Sequence, residues 1–255
     1  MHVTTMATIS PHATVESSKL ADNVIVGPFT YIGPDVRIGA GTIVENDVFI
    51  AGRTTIGRDN HIFPGAVIGR SDDDNARGKI KIGQANNLRE QVVIAAGKTG
   101  TTSLGNNCLI MIACRIGPGA AVGSHVVLAN RTIVSANAVL EDYARSSGLS
   151  LVEPGARVGS YSFISSYTRV DGHAPPFAML DGDPFRVRGI NTRLLQRCGF
   201  GEDDIRALKR AYRDLYNGDN RQPDPVIIER LLDDSNTNLH VRQALKAIAD
   251  GDKRG

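Results

Sequence analysis

An aliphatic residue returns every six positions over most of this chain, and that spacing restricts the fold more than anything else in the sequence. The run begins Leu20, Val26, Ile32, Ile38, Val44, Ile50, Ile56, Ile62, Ile68. A shifted register gives Ile82, Leu88 and Ile94, and another gives Leu104, Ile110, Ile116, Val122, Leu128, Val134 and Leu140. Ser146 interrupts the series, which resumes at Val152, Val158, Ile164 and Val170. Neither the helical period of 3.6 nor the strand period of 2 gives such a spacing alone; a short strand followed by a turn, repeated, does. Glycine often follows the aliphatic directly, as at Gly27, Gly39, Gly57, Gly105 and Gly123, which predicts corners that use its freedom to take φ > 0. Small or β-branched residues such as Thr30, Thr42, Ala66, Cys108, Cys114 and Ala138 stand four places after it and predict a narrow inward position beside each aliphatic. Three hexads then close one triangular coil. Stacked coils pair in parallel and bury a continuous aliphatic ladder, which stabilises at about 25 cal/mol per Å² of apolar surface.

Two stretches leave the register. Residues 70–79, RSDDDNARGK, and 97–103, GKTGTTS, read as excursions from a corner, and binding residues collect on loops of rigid scaffolds. After Val170 the hexads stop at a proline-rich segment, HAPPFAMLDGDPFRVRGIN. Helical patterning follows: an acidic turn at Glu202, Asp203 and Asp204 before Ile205, Leu208, Ala211, Tyr212 and Leu215, a second helix from Asp224-Pro225, and a third through Leu239, Val241, Leu245 and Ile248. The expected organisation is all-β plus α: a parallel β-helix over 1–190 and a C-terminal α-helical domain over 191–255, too small to stand alone and packed on the prism or a neighbour.

The bulk numbers exclude several classes. A net charge of +2 with 22% charged residues, and no dense basic run, argues against nucleic-acid binding. The apolar runs are too short to span a membrane, and MHVTTMATIS lacks the basic and apolar regions of a signal peptide. Three cysteines without a CxxC pair predict reduced thiols, no metal and no disulfide framework. The expectation is a cytoplasmic protein without a cofactor.

More specific stretches occur in a telling order: Val26-Gly27-Pro28-Phe29, Ile56-Gly57-Arg58-Asp59-Asn60, Leu88-Arg89-Glu90, Leu128-Ala129-Asn130, Ala174-Pro175-Pro176-Phe177, Arg197-Cys198-Gly199-Phe200, then Ala211-Tyr212 and Leu215-Tyr216. In these the chain resembles the UDP-N-acetylglucosamine O-acyltransferases of bacterial lipid A synthesis, a hexapeptide-repeat family, over nearly its whole length. The resemblance implies a left-handed coil, a homotrimer with clefts between neighbouring prisms, an acyl-carrier-protein thioester as donor and a UDP-sugar as acceptor. It also implies a histidine that takes the proton from the sugar hydroxyl, a role that suits a side chain with an unperturbed pKa of about 6.5.

This chain departs from that pattern at the chemistry. The family's Ile-Ala-His-Asp reads Ile116-Gly117-Pro118-Gly119 here, so Pro118 stands where the base belongs. Ala95, Arg115, Asn137 and Glu153 stand where the resemblance places further histidines. His125 is offset by one position and reads as a surface or trimer-contact residue; His12, His61 and His173 read as ordinary surface residues. Glu153 offers a carboxylate in place of the lost base if burial raises its pKa. Among binding positions, Asp74 matches a sugar-contacting aspartate or belongs to a solvated acidic run, and Asn191 and Arg197 match residues near the nucleotide. Arginine suits a phosphate through its two-pronged donor geometry, although Cys198 replaces a second arginine beside it. Three readings stay open: an acyltransferase with altered catalytic residues, a non-catalytic paralogue acting as a ligand-binding or scaffold trimer, and a bare structural prism.

Overall fold

The computed structural model describes residues 6–71, 77–216 and 222–252, the last three of these by backbone only. Its strands are mostly two residues long and fall into three parallel stacks. Face I has eleven strands from Thr8–Ile9 to Arg186–Ile190, face II has nine from Thr14–Val15 to Arg169–Val170, and face III has eight from Arg37–Ile38 to His173–Ala174. The chain visits them in the order I, II, III and returns to I one coil further on. Each strand therefore pairs with the equivalent strand of the next coil, as in Leu109↔Val127 and Ile110↔Leu128.

The second residue of each strand carries the aliphatic, and these point inward: Ile32, Ile50, Ile62, Ile110, Leu128 and Val134 are fully buried. Ser146 keeps the register. Its hydroxyl bonds Thr132 Oγ1 at 2.8 Å and accepts from the Ala129 N–H at 3.2 Å, so a polar side chain fits the interior with its capacity satisfied. The narrow positions hold two asparagines as well: Asn60 donates to the Gly57 and Gly83 carbonyls, and Asn86 donates to Asn60 Oδ1 and the Gly105 carbonyl.

The glycines after the aliphatics serve a different purpose from the one their position suggests. The left-handed turn residue is the third after the aliphatic, and side chains as large as Phe29, Gln91, Arg131 and Tyr161 occupy it with φ of 59–60°. Gly39 and Gly105 are required by close approach: a Cβ on either would lie 2.6 Å from the backbone of the coil above. The second excursion is also shorter than expected, because Thr101–Leu104 is a four-residue strand of face III paired with Lys79–Ile82. Of the first, Asp72 to Ala76 lie outside the described residues.

The parallel stack ends where Ala178–Asp181 pairs antiparallel with Arg186–Ile190. Four helices follow: α1 (Thr192–Arg197), α2 (Glu202–Leu215), α3 (Pro225–Asp233) and α4 (Leu239–Asp252). The stripe Ile205, Leu208, Ala211, Tyr212, Leu215 of α2 is buried as its spacing predicts, and the Tyr212 hydroxyl donates to the Pro176 carbonyl. Asp224 caps α3, accepting from the Val226 N–H at 2.9 Å with Pro225 at the first helical position.

The outer surfaces of the prism differ. The corner between faces I and II carries exposed Phe29, Ile112, Leu149 and Tyr167, flanked by Ile25 on face I and by Phe49 and Ile133 on face II. Face III turns Arg37, Arg53, Thr55, Lys79 and Lys81 outward.

Candidate functional site

Five of the candidate positions form one column along the corner between faces II and III. The residue after each face II strand donates its N–H to the coil above: Ala95 to Ile116 O at 2.9 Å, Gly117 to Val134 O at 2.7 Å, Ser135 to Val152 O at 2.9 Å and Glu153 to Val170 O at 2.8 Å. Ala95 and Glu153 thus occupy equivalent places several coils apart. Pro118 follows Gly117, and Asn137 holds the left-handed turn position one coil on, with φ 57° and its N–H bonded to the Pro118 carbonyl at 2.9 Å. Arg115 lies at the edge of the same corner, on the strand paired with Val93 and Ile133. Buried Thr102 ties this corner together, donating to Ala95 O and accepting from the Gly119 N–H, each at 2.9 Å.

Chemically the column is poor in proton acceptors. Pro118 is exposed but brings no titratable group. Glu153 is an ion-pair partner: Arg169 Nη1 lies 3.6 Å away, and the same guanidinium binds Asp183 through Nε at 2.7 Å. Its side chain is part-exposed, not buried. Arg169 is held firmly cationic, chiefly by its hydrogen bond to Asp183 and then by that charge.

Asn191 and Arg197 sit elsewhere, on the side of the corner between faces III and I. Asn191 is 7% exposed and both ends of its amide are engaged. Nδ2 donates to Tyr161 O at 3.1 Å, while Oδ1 accepts from the Leu194 N–H at 3.4 Å as the N-cap of α1. Arg197 is exposed in the last turn of that helix, beside exposed Cys198. Asp74 falls outside the described residues.

The histidines also divide. His125 occupies a turn position on the III/I corner, φ 59°, and its ring stacks on Tyr143 at 4.6 Å. Tyr143 stacks on Tyr161 at 4.7 Å, Tyr161 on Phe177 at 5.7 Å, and Phe200 meets both Tyr161 and Phe177 edge-on. This aromatic column runs from the prism into the helical cap. Its signal in the sequence is an aromatic at the third place after successive face III aliphatics, a spacing that sequence reasoning passed over. Burial raises the Tyr161 hydroxyl above its ordinary pKa, helped by Tyr143 and Cys198 nearby. His61 departs from the expected free surface residue: it is half-buried, 2.6 Å from Glu45 and stacked on Phe63. Cys108 and Cys114 are buried free thiols, as expected, both pushed up to about 11 by burial. Among the described residues no three His, Cys, Asp or Glu side chains group as a metal site, and no helix is long and apolar enough to cross a membrane.

Comparison with known proteins agrees with this architecture. A family model described as Udp N-acetylglucosamine O-acyltransferase, domain 2, matches residues 174–255, and a bacterial transferase hexapeptide model matches 17–52. The acyl-[acyl-carrier-protein]–UDP-N-acetylglucosamine O-acyltransferase of Aliivibrio salmonicida is 41% identical over 222 residues, covering 84% of this chain and 85% of that protein. The corresponding protein of Pseudomonas putida is 37% identical, covering 83% and 85%. Among solved structures, the UDP-N-acetylglucosamine acyltransferase of Francisella novicida superposes with a TM-score of 0.81 at 30% identity, covering 96% of this chain and 88% of that one. That of Moraxella catarrhalis gives 0.83 at 26%, covering 96% and 95%. The prism is the expected left-handed parallel β-helix. With hexads, cap and overall identity in agreement, the chain belongs to the UDP-N-acetylglucosamine O-acyltransferase family.

Proposed function

We propose that this chain transfers an acyl group from an acyl-carrier-protein thioester to a hydroxyl of a UDP-sugar, in clefts between the copies of a homotrimer, and that it does so without the histidine base of its relatives. The supporting observation is the division of the candidate positions between two corners. A threefold axis beside the apolar I/II corner buries Phe29, Ile112, Leu149 and Tyr167, sets face II of one copy against face I of the next, and closes as cyclic symmetry requires. The II/III corner with Ala95, Arg115, Pro118, Asn137 and Glu153 then borders the same outward-widening cleft as the next copy's III/I corner, the corner that in each chain carries Asn191 and Arg197.

In this cleft Arg115 and Arg197 supply the fixed positive charge that a nucleotide diphosphate needs. Asn191 acts through α1: its cap and its bond to Tyr161 O hold the helix that carries Arg197. In the transfer the sugar oxygen attacks the thioester carbonyl, the C–S bond breaks, and the hydroxyl proton ends on the departing thiolate. No side chain at position 118 relays that proton, and a general base contributes about 10²–10⁴-fold. Both substrates place the reaction in the cytoplasm.

Turnover measured with acyl-carrier-protein donors and UDP-N-acetylglucosamine tests the reading. The expected rate lies about 10²–10⁴-fold below that of a histidine-bearing relative. A rate within about tenfold of such a relative shows that another residue supplies the base. Absence of both turnover and UDP-sugar binding moves the non-catalytic trimer ahead, a reading favoured by the capture of Glu153 in an ion pair.

A further inference from the structure

We propose a second anion site, on face III and apart from the cleft, that takes a small phosphorylated ligand such as a diphosphate or a sugar phosphate. Parallel register aligns the outward residues there into two columns. Arg37 pairs with Thr55 and Thr55 with Lys81; Arg53 pairs with Lys79. Lys19 extends the first column, since its carbonyl accepts from the Ile38 N–H at 3.2 Å beside the Leu20↔Ile38 bridge. Neighbouring strands lie about 4.8 Å apart, so five cationic side chains start from a few adjacent lattice points of one flat sheet.

These side chains line a groove of about 370 Å³ together with Ile80 and, as the one acid among the described residues, Asp35. That volume falls within the range of small-molecule sites. All five cations are exposed and none is in an ion pair among the described residues; the Arg53 guanidinium reaches only the Arg77 carbonyl, at 3.4 Å. Some arginines elsewhere do hold carboxylates, as at Arg89–Glu90, Arg157–Glu141 and Arg169–Asp183. Five like charges that outnumber their described counter-charge, Asp35, repel one another and raise the local concentration of anions. Two guanidinium forks and the Thr55 hydroxyl match phosphate oxygens, and three ammonium groups add point charge. Asp35 favours a ligand that carries a hydroxyl or amide donor beside its phosphates.

The other polyanions fit less well. A membrane surface calls for apolar anchors beside the basic groups, and the exposed aromatic and aliphatic side chains of the prism lie along the I/II corner. Face III lies opposite the I/II corner; its exposure in the assembly rests on the axis proposed above, but the anion site does not depend on whether the clefts are catalytic.

Calorimetry with pyrophosphate on the full-length protein at low ionic strength, and the double variant Arg37→Gln/Lys81→Gln, form the test. Both substitutions are on exposed side chains, so fold and oligomeric state stay unchanged by circular dichroism and light scattering. Pyrophosphate is expected to bind with sub-millimolar affinity, to weaken with added salt, and to lose at least tenfold in the double variant, each charge-assisted bond being worth about that factor. Arg197→Ala does not remove the binding component that the double variant removes. No heat at millimolar pyrophosphate, or equal heat in parent and double variant, overturns the proposal. So does binding that Arg197→Ala abolishes, or capture by anionic vesicles without any response to soluble pyrophosphate.

Discussion

Restoring a histidine by Pro118→His isolates the loss that most separates this chain from its relatives. The structure allows the change at little cost. Proline donates no backbone N–H, so no hydrogen bond is broken; its carbonyl still accepts from Asn137 at 2.9 Å; and the side chain is exposed. Exposed substitutions away from special backbone features usually change stability by within about 0.5 kcal/mol. The gain has a ceiling of about 10²–10⁴-fold, the worth of a positioned base. The new imidazole has no neighbouring histidine or carboxylate to orient it: Ala95 and Asn137 carry no charge, and Glu153 is paired with Arg169. We therefore expect about 10- to 100-fold over the parent, with kcat/KM rising through pH 6–7 as the ring loses its proton. Single-turnover transfer from acyl-carrier protein to UDP-N-acetylglucosamine, with UDP-sugar binding measured in parallel, reads both. A folded variant that binds the UDP-sugar as the parent does, yet transfers no faster at any pH, refutes the reasoning.

Further outcomes follow from named contacts. Asn191→Ala removes an N-cap worth about 1 kcal/mol and takes its donor from the part-buried Tyr161 carbonyl, so the midpoint should fall by roughly 2–4 °C per kcal/mol lost in a thermal melt. Arg197→Ala should leave that melt unchanged while weakening UDP-sugar binding about ten- to a hundredfold, and Cys198→Arg should strengthen it. Leu149→Asp on the I/II corner should shift light scattering from three chain masses towards one; a trimer that persists argues against that axis. In the native protein near pH 8, Cys198 should react rapidly with a thiol reagent while Cys108 and Cys114 do not. Because burial raises both inner thiols to about 11 from an ordinary 9, their contribution to stability is complete below pH 9 and declines as pH climbs to 11; a melt unchanged across that interval contradicts it.

The hexad was legible because it expresses a single geometric demand, an inward side chain on each strand, repeated until chance is excluded. Ser146 looked like a break because hydropathy does not register a hydroxyl satisfied by Thr132 and Ala129. The glycines were visible but their reason was not: Gly39 and Gly105 answer to the backbone of the next coil, a partner about eighteen residues away that no local rule contains. Asn191 stood out as a binding candidate, but its cap on α1 and its bond to Tyr161 could not be read from local sequence. The column Ala95–Pro118–Asn137–Glu153 became a place only through the coil, which brings residues far apart in sequence onto one edge. Helical stripes in the cap were readable from local spacing, but their docking rests on the Tyr212 hydroxyl meeting Pro176, a long-range contact.

The reversal of strand direction at Arg186–Ile190 has a consequence for growth. A stack of identical parallel rungs is a crystal in one dimension, and either terminal rung is a template on which another chain's rung can nucleate. At the far end that template is spoiled: the last strand of face I runs the wrong way for a parallel successor, and α2 packs against it. At the near end, Thr8–Ile9 keeps the forward, parallel orientation. Head-to-tail growth along face I must therefore cross a strand of opposite polarity, and the hairpin acts as a chain terminator that confines the molecule to a finite rod.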